Sequence, residues 1–120
     1  MNVPFIPTDE RNLVYRAAAM LMEEFHVQEG LSIRLDKFIP VAAGMAGGSS
    51  DAAAAFVGVN KLFHLGLSQK ELMERAVKVG ADVPYCIMRG TALAEGIGEK
   101  LTALPPVPPC YVLIGKPAVS

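Results

Sequence analysis

The sequence has no excess of basic residues: 11 Lys and Arg stand against 12 Asp and Glu, for a net charge of −1. That excludes a broad cationic face for gripping a nucleic-acid backbone. An anionic ligand has to be held locally, by backbone N–H groups and a few side chains. Cysteine is also sparse, with only Cys86 and Cys110 and no metal-ligand spacing between them. The two read as reduced, mostly buried thiols, with a disulfide left open. No apolar run is long enough to span a bilayer. The start, Met1 to Thr8, lacks the charged-then-apolar pattern of a signal peptide, and no internal repeat is visible. The expected compartment is the cytoplasm. Neither a membrane nor a nucleic acid is an expected partner, and oligomeric state is not legible.

What is present is a globular balance, 52% hydrophobic and 19% charged over 120 residues, enough for one domain or a large part of one. A first helix is expected from near Thr8 or Asp9, either of which can cap it, with Glu10 in its first turn. Leu13, Val14, Ala17, Ala18, Leu21, Met22 and Phe25 recur at helical spacing, and Gly30 closes the stretch. Leu31, Ile33 and Leu35 alternate with polar residues as in a half-buried strand, which Pro40 stops. Asp51 to Phe63 reads as an Ala-rich helix starting between Gly48 and Asp51. Ser68-Gln69-Lys70-Glu71 is a capping box between Leu67 and Leu72, opening a helix to about Val79. Tyr85 to Met88 and Thr91 to Ala94 read as strands, Gly96-Ile97-Gly98 as a turn, and Pro105 to Pro109 as a stiff connector. Cys110 to Ile114 reads as a last buried strand. Mixed helices and strands point to an α+β or α/β two-layer domain.

The most informative stretch is Pro40-Val41-Ala42-Ala43-Gly44-Met45-Ala46-Gly47-Gly48-Ser49-Ser50-Asp51. Small residues leave the backbone uncovered, so several N–H groups can converge on one anion. The helix that follows adds its unpaired amides and the positive end of its dipole. Ser49 and Ser50 bring hydroxyls within reach of a phosphate oxygen or Mg²⁺. The run is neither a Walker A loop, since no Lys follows Gly48, nor a G-x-G-x-x-G fingerprint. A plain surface turn ahead of a helix is the competing reading.

This run resembles the central motif of the GHMP kinases (galactokinase, homoserine, mevalonate and phosphomevalonate kinases), P-x-x-x-G-x-[GA]-x-S-S followed by an acidic or small residue and alanines. Pro40, Gly44, Gly47, Gly48, Ser49, Ser50 and Ala52 to Ala54 fit it. Asp9 to Leu13, Leu31 to Ile33 with Lys37, Gly80-Ala81-Asp82-Val83-Pro84, and Gly90 to Gly96 with Gly98-Glu99 are similar to one branch of that family. Its substrate is a cytidine diphosphate-linked methylerythritol.

The resemblance implies the ribosomal protein S5 domain 2-like fold of the GHMP N-terminal domain, and transfer of the γ-phosphate of ATP, with Mg²⁺, to a tertiary hydroxyl of that small molecule. It implies that Pro40, Val41, Ala42, Ala43, Gly44, Met45, Ala46, Gly47, Gly48, Ser49 and Ser50 wrap the ATP phosphates. Asn12 and Lys37 match positions near the adenine, and Asp82 matches the catalytic aspartate. A cradle plus one carboxylate suits phosphoryl transfer, which depends on positioning and charge stabilisation. Val83 before Pro84 is pushed toward an extended conformation, which places Asp82 where a helix has ended and a strand begins. The family's first strand, with its catalytic lysine, and its C-terminal half have no counterpart here, so residues 1–120 are expected to be a partial N-terminal domain. A mevalonate- or homoserine-type kinase, a non-catalytic nucleotide-binding module and a purely structural piece are the alternatives. Asp51 reads first as a dipole-favoured carboxylate, and His26 and His64 as surface residues near helix ends.

Overall fold

The computed structural model describes residues 12–39, 45–115 and 117. Four helices precede a β-hairpin: α1 (Leu13–Glu24), α2 (Gly47–Leu62), α3 (Gln69–Ala76), α4 (Val83–Met88), β1 (Thr91–Glu95) and β2 (Lys100–Leu104). Helices with a small antiparallel sheet make this an α+β fold.

Asn12 caps α1, its Oδ1 accepting from the Val14 N–H at 2.9 Å. The expected caps Thr8 and Asp9, and Glu10, lie outside the described residues. The helix ends at Phe25 rather than Gly30. His26 takes a left-handed φ of 53°, and the N–H groups of His26 and Val27 donate to Glu23 O and Met22 O. This is a Schellman closure with histidine where glycine usually sits. α2 ends the same way at His64, φ 53°, with His64 and Leu65 donating to Lys61 O and Asn60 O.

The core lies where α1, α2, α3 and α4 meet. Ala17, Ala18 and Leu21 face Ala52, Ala53, Phe56 and Val59, with Leu72, Ala76, Val79, Val83 and Ile87 closing the cluster. Four of these α1 and α2 residues are alanines, which let the two helices approach closely while Phe56 and Leu21 fill the space between. Met20, Met22 and Met73 pack against the cluster as apolar filling. The side chain of Asn60 clamps the α2–α3 loop, donating to Leu67 O and accepting from Leu67 N, both at 3.0 Å. The capping box forms as expected: Ser68 Oγ accepts from Glu71 N at 3.2 Å and Glu71 Oε1 accepts from Ser68 N at 3.1 Å. Regular helix stops at Ala76, and a tight turn continues to Gly80.

Three expected strands are absent among the described residues. Tyr85 to Met88 belongs to α4. Pro84 in its first turn is preorganised for a helix, and Val83 and Ile87, four residues apart, both point into the core. Leu31 to Leu35 forms no ladder, because no described strand runs beside it. Cys110 to Ile114 is irregular and exposed, with Leu113 98% accessible. An apolar run joins a sheet only when a neighbouring strand exists, and none does here among the described residues. Both cysteines are free; Cys86 is half-buried, and Cys110 is exposed, against expectation.

The hairpin pairs Thr91 with Leu104 through Glu95 with Lys100. Its turn uses Gly96 and Gly98 at φ 70° and 107°, and Glu99 braces it by accepting from the Ile97 N–H at 2.9 Å. Its first strand and its turn lie where the residue pattern predicts them, and β2 lies where it predicts no strand.

Candidate functional site

The helix α2 opens without a side-chain cap. Ala46 stands at the N-cap position with φ 54° and ψ 33°, a left-handed conformation that alanine adopts at a cost of about 1–2 kcal/mol. The first turn then closes on itself: Ser50 N donates to Ala46 O at 2.9 Å and Ser50 Oγ donates to Gly47 O at 2.9 Å. The amide and hydroxyl of Ser50 are thus both engaged within the helix. The amides of Gly47, Gly48 and Ser49 precede the first intrahelical donor, Ser50 N, and have no partner among the described residues. Three unsatisfied N–H groups at the positive end of a 16-residue helix make an anion-binding surface.

Glycine is required at position 47 by a close approach. A Cβ there would lie 2.9 Å from Ile39 Cγ2 and 3.0 Å from Ile39 Cβ, and 3.7 Å from Lys37 Nζ. At Gly48 a Cβ would touch only Leu13 Cδ1 at 3.6 Å. The segment 37–39 therefore leans directly on the first turn of α2.

Lys37 is buried against the start of α2. Its side chain is 8% exposed and its Nζ donates to Asp51 Oδ2 at 2.5 Å, with Asp51 28% exposed. Sequence reasoning missed this pair because its partners lie 14 residues apart across the loop. The one signal was an acidic residue inside an otherwise apolar helix start.

Asn12 faces a groove of about 640 Å³ between α1 and the 31–35 segment, together with Tyr15, Ala18, Ala19, Met22, Leu31, Ser32, Ile33 and Leu35. Lys37 does not line this groove. Asp82 is exposed at the N-cap of α4, at φ −89° and ψ −10°. It lies between two helical turns rather than ahead of a strand. Its Oδ1 comes within 3.3 Å of a Cβ built on Gly98, so the hairpin turn borders it. Burial pushes the nearby Cys86 thiol up from 9.0, and the Asp82 charge adds to this, so Cys86 stays a protonated thiol rather than a nucleophile. Of the remaining site candidates, Met45 is half-buried and Ala46 exposed beside the turn. Pro40, Val41, Ala42, Ala43 and Gly44 lie outside the described residues. No group of three acidic, histidine or cysteine side chains that could hold a metal exists among the described residues.

A glycine-dependent, uncapped helix start with a buried lysine against it defines a class, and sequence comparison agrees. Residues 12–90 match the GHMP kinases N terminal domain, and the chain belongs to that family. The particular relatives agree with one another. The chain is 58% identical over 119 residues to the 4-diphosphocytidyl-2-C-methyl-D-erythritol kinase of Lachnospira eligens, covering 99% of this chain and 41% of that protein. It is 59% identical over 119 residues to the enzyme of the same name from Lachnoclostridium phytofermentans, again 99% of this chain and 41% of that protein. A crystal structure of 4-(cytidine 5'-diphospho)-2C-methyl-D-erythritol kinase superposes with a TM-score of 0.73 at 38% identity, over 82% of this chain and 36% of that one. The chain thus spans about two fifths of the length of the curated relatives it matches.

Proposed function

We propose that residues 1–120 form part of the N-terminal domain of an ATP-dependent kinase, and that this kinase phosphorylates the tertiary hydroxyl of 4-diphosphocytidyl-2-C-methyl-D-erythritol in isoprenoid-precursor biosynthesis. The observation that carries the proposal is the trio of unpartnered amides at Gly47, Gly48 and Ser49. They fit an anionic phosphate chain, and relatives of 58–59% identity bear the name of this kinase.

ATP, when bound, supplies the γ-phosphoryl group, with Mg²⁺ carried chiefly on its phosphate oxygens. The chain's own part is positional. Gly47 to Ser49 direct N–H groups at the phosphates, Met45 and Ala46 border that turn, and the hydroxyl of Ser49 stands in the same turn. Asn12 and its groove offer an apolar slot for the base. Asp82, exposed at the head of α4, accepts or orients the proton of the acceptor hydroxyl.

The test is a chimera in which this chain replaces the matching segment of the Lachnospira eligens kinase. The expected result is ATP consumption that depends on the cytidine-linked alcohol, and a loss of kcat of about 10²-fold or more in the Asp82→Asn version. Faster turnover with mevalonate or homoserine would overturn the acceptor. A folded chimera that binds ATP and never turns over would mark a non-catalytic nucleotide-binding module.

A further inference from the structure

We infer that Glu99 is a positioning residue for Asp82, acting through the hairpin turn: its carboxylate fixes the turn so that Gly98 stands against the Asp82 side chain and limits where that group points. The inference rests on the reading of Asp82 as the group that meets the acceptor hydroxyl.

Asp82 is exposed at the N-cap of α4, and its side chain makes no capping hydrogen bond. A carboxylate without that tie turns freely among its rotamers unless a neighbour stands in the way. The neighbour is Gly98. A Cβ built there would lie 3.3 Å from Asp82 Oδ1 and 3.9 Å from Ala81 O, so the bare side of Gly98 faces both the carboxylate and the backbone that carries it. Gly98 has φ 107°, a conformation that L side chains rarely adopt. Its N–H donates to Glu95 O at 3.1 Å, closing the turn between β1 and β2.

Glu99 holds that shape. Its Oε2 accepts from the Ile97 N–H at 2.9 Å, and its Oε1 lies 2.5 Å from where a Cβ of Gly96 would stand. The carboxylate thus folds back over the turn it follows. Both strands are mostly exposed, so little packing constrains the turn, which depends on its own hydrogen bonds. Without the Glu99 acceptor the Ile97 N–H turns to water, and Gly98, with the conformational freedom of glycine, no longer stays against Asp82. A misplacement of about 1 Å at a reacting group costs roughly 10²-fold in rate.

Two readouts on the unsubstituted protein, Glu99→Ala and Glu99→Gln test this. The first is the set of three-bond NMR couplings to Asp82 Cγ, which report its χ1 in this chain whatever reaction the chain serves. They should show one rotamer in the unsubstituted protein and in Glu99→Gln, whose amide oxygen keeps the acceptor, and averaging in Glu99→Ala. The second is turnover in the chimera with the Lachnospira eligens kinase. There kcat should fall about tenfold or more in Glu99→Ala, with KM for ATP within about twofold, and Glu99→Gln should recover most of the loss. Gly90→Ala is the control: at φ 80° it strains the same hairpin, but its Cβ meets nothing within 4 Å, so the Asp82 couplings should not change. Should Glu99→Ala not fold, Glu99→Met, which keeps the stem and removes the acceptor, takes its place. An Asp82 side chain that averages in the unsubstituted protein overturns the inference, as does one that stays fixed in Glu99→Ala or averages equally in Gly90→Ala. An unchanged kcat in Glu99→Ala overturns it too. Couplings that behave as expected in a chimera that turns nothing over refute the kinase reading instead, while upholding the hold of Glu99 on Asp82.

Discussion

His26 and His64 have no catalytic partner in sequence, and the structure gives them a conformational role. Each follows the C-cap of a long helix at φ 53°, and each donates its N–H into a closing pair of hydrogen bonds. Histidine tolerates the left-handed region better than β-branched residues do, yet glycine reaches it without strain. Replacing either by glycine relieves about 1–2 kcal/mol of backbone strain while adding unfolded-state entropy. His26→Gly and His64→Gly should therefore each raise the urea midpoint, by about 0.5–1 kcal/mol in unfolding free energy with an unchanged m-value. A fall in midpoint would show that the imidazoles make contacts of their own worth more than the strain. Ala46, at φ 54°, carries the same kind of strain, but beside the turn proposed to hold phosphate, and strain is most often retained at functional sites.

Besides the apolar core, one tie between elements is polar and partly exposed. Arg75 of α3 meets Glu24 of α1, with Nη2 to Oε2 at 2.7 Å and Nε to both carboxylate oxygens at 3.0 Å. The guanidinium lies 5.9 Å from the centroid of the Phe25 ring. The hydrogen bonds from Arg75, and then its charge, hold the Glu24 carboxyl below the ordinary value of 4.5. In the capping box, the Ser68 backbone N–H holds Glu71 below 4.5 in the same way. A carboxyl whose folded pKa is depressed contributes stability that is full above its unfolded value and lost as the pH falls through the folded one. The melting temperature should thus decline as the pH is taken down from about 4.5. Arg75→Met should flatten the part of that decline due to Glu24, leaving the Glu71 part in place. A melting temperature as steep in acid for Arg75→Met as for the unsubstituted protein would count against the bridge.

Over the whole molecule, stability is concentrated in the helical cluster. Phe56 is fully buried at its centre, where α1, α2, α3 and α4 converge, while Leu113 is 98% exposed on an irregular segment. Phe56→Ala should lower unfolding free energy by about 3–5 kcal/mol. Leu113→Ser should leave it within about 0.5 kcal/mol. Both follow from chemical denaturation of the same protein. Comparable losses at the two positions would mean that the 110–115 segment packs on the core in solution. An exposed Tyr111, Val112, Leu113 and Ile114 in a row is an apolar surface much like a strand face. Among the described residues nothing covers it.

Several features depend on neighbours along the chain and were legible from sequence alone. The Ser68–Glu71 capping box is local, because its hydrogen bonds span three residues. The heptad-like stripe of α1, the Ala-rich α2, the turn at Gly96 to Gly98 and the small-residue run ending at Asp51 are local in the same sense. Tertiary structure decided what depended on partners far away in sequence. Tyr85 to Met88 has the residue types of a strand and is a helix, because Val83 and Ile87 find a helical core and no sheet. Leu31 to Leu35 and Cys110 to Ile114 have strand patterns but no described neighbour to complete a ladder. The burial of Lys37 on Asp51, 14 residues away, likewise has no local signal. Periodicity and capping describe what a segment can do by itself. Burial, strand pairing and charge pairing are contracts between segments, and only the assembled chain decides which of them are kept.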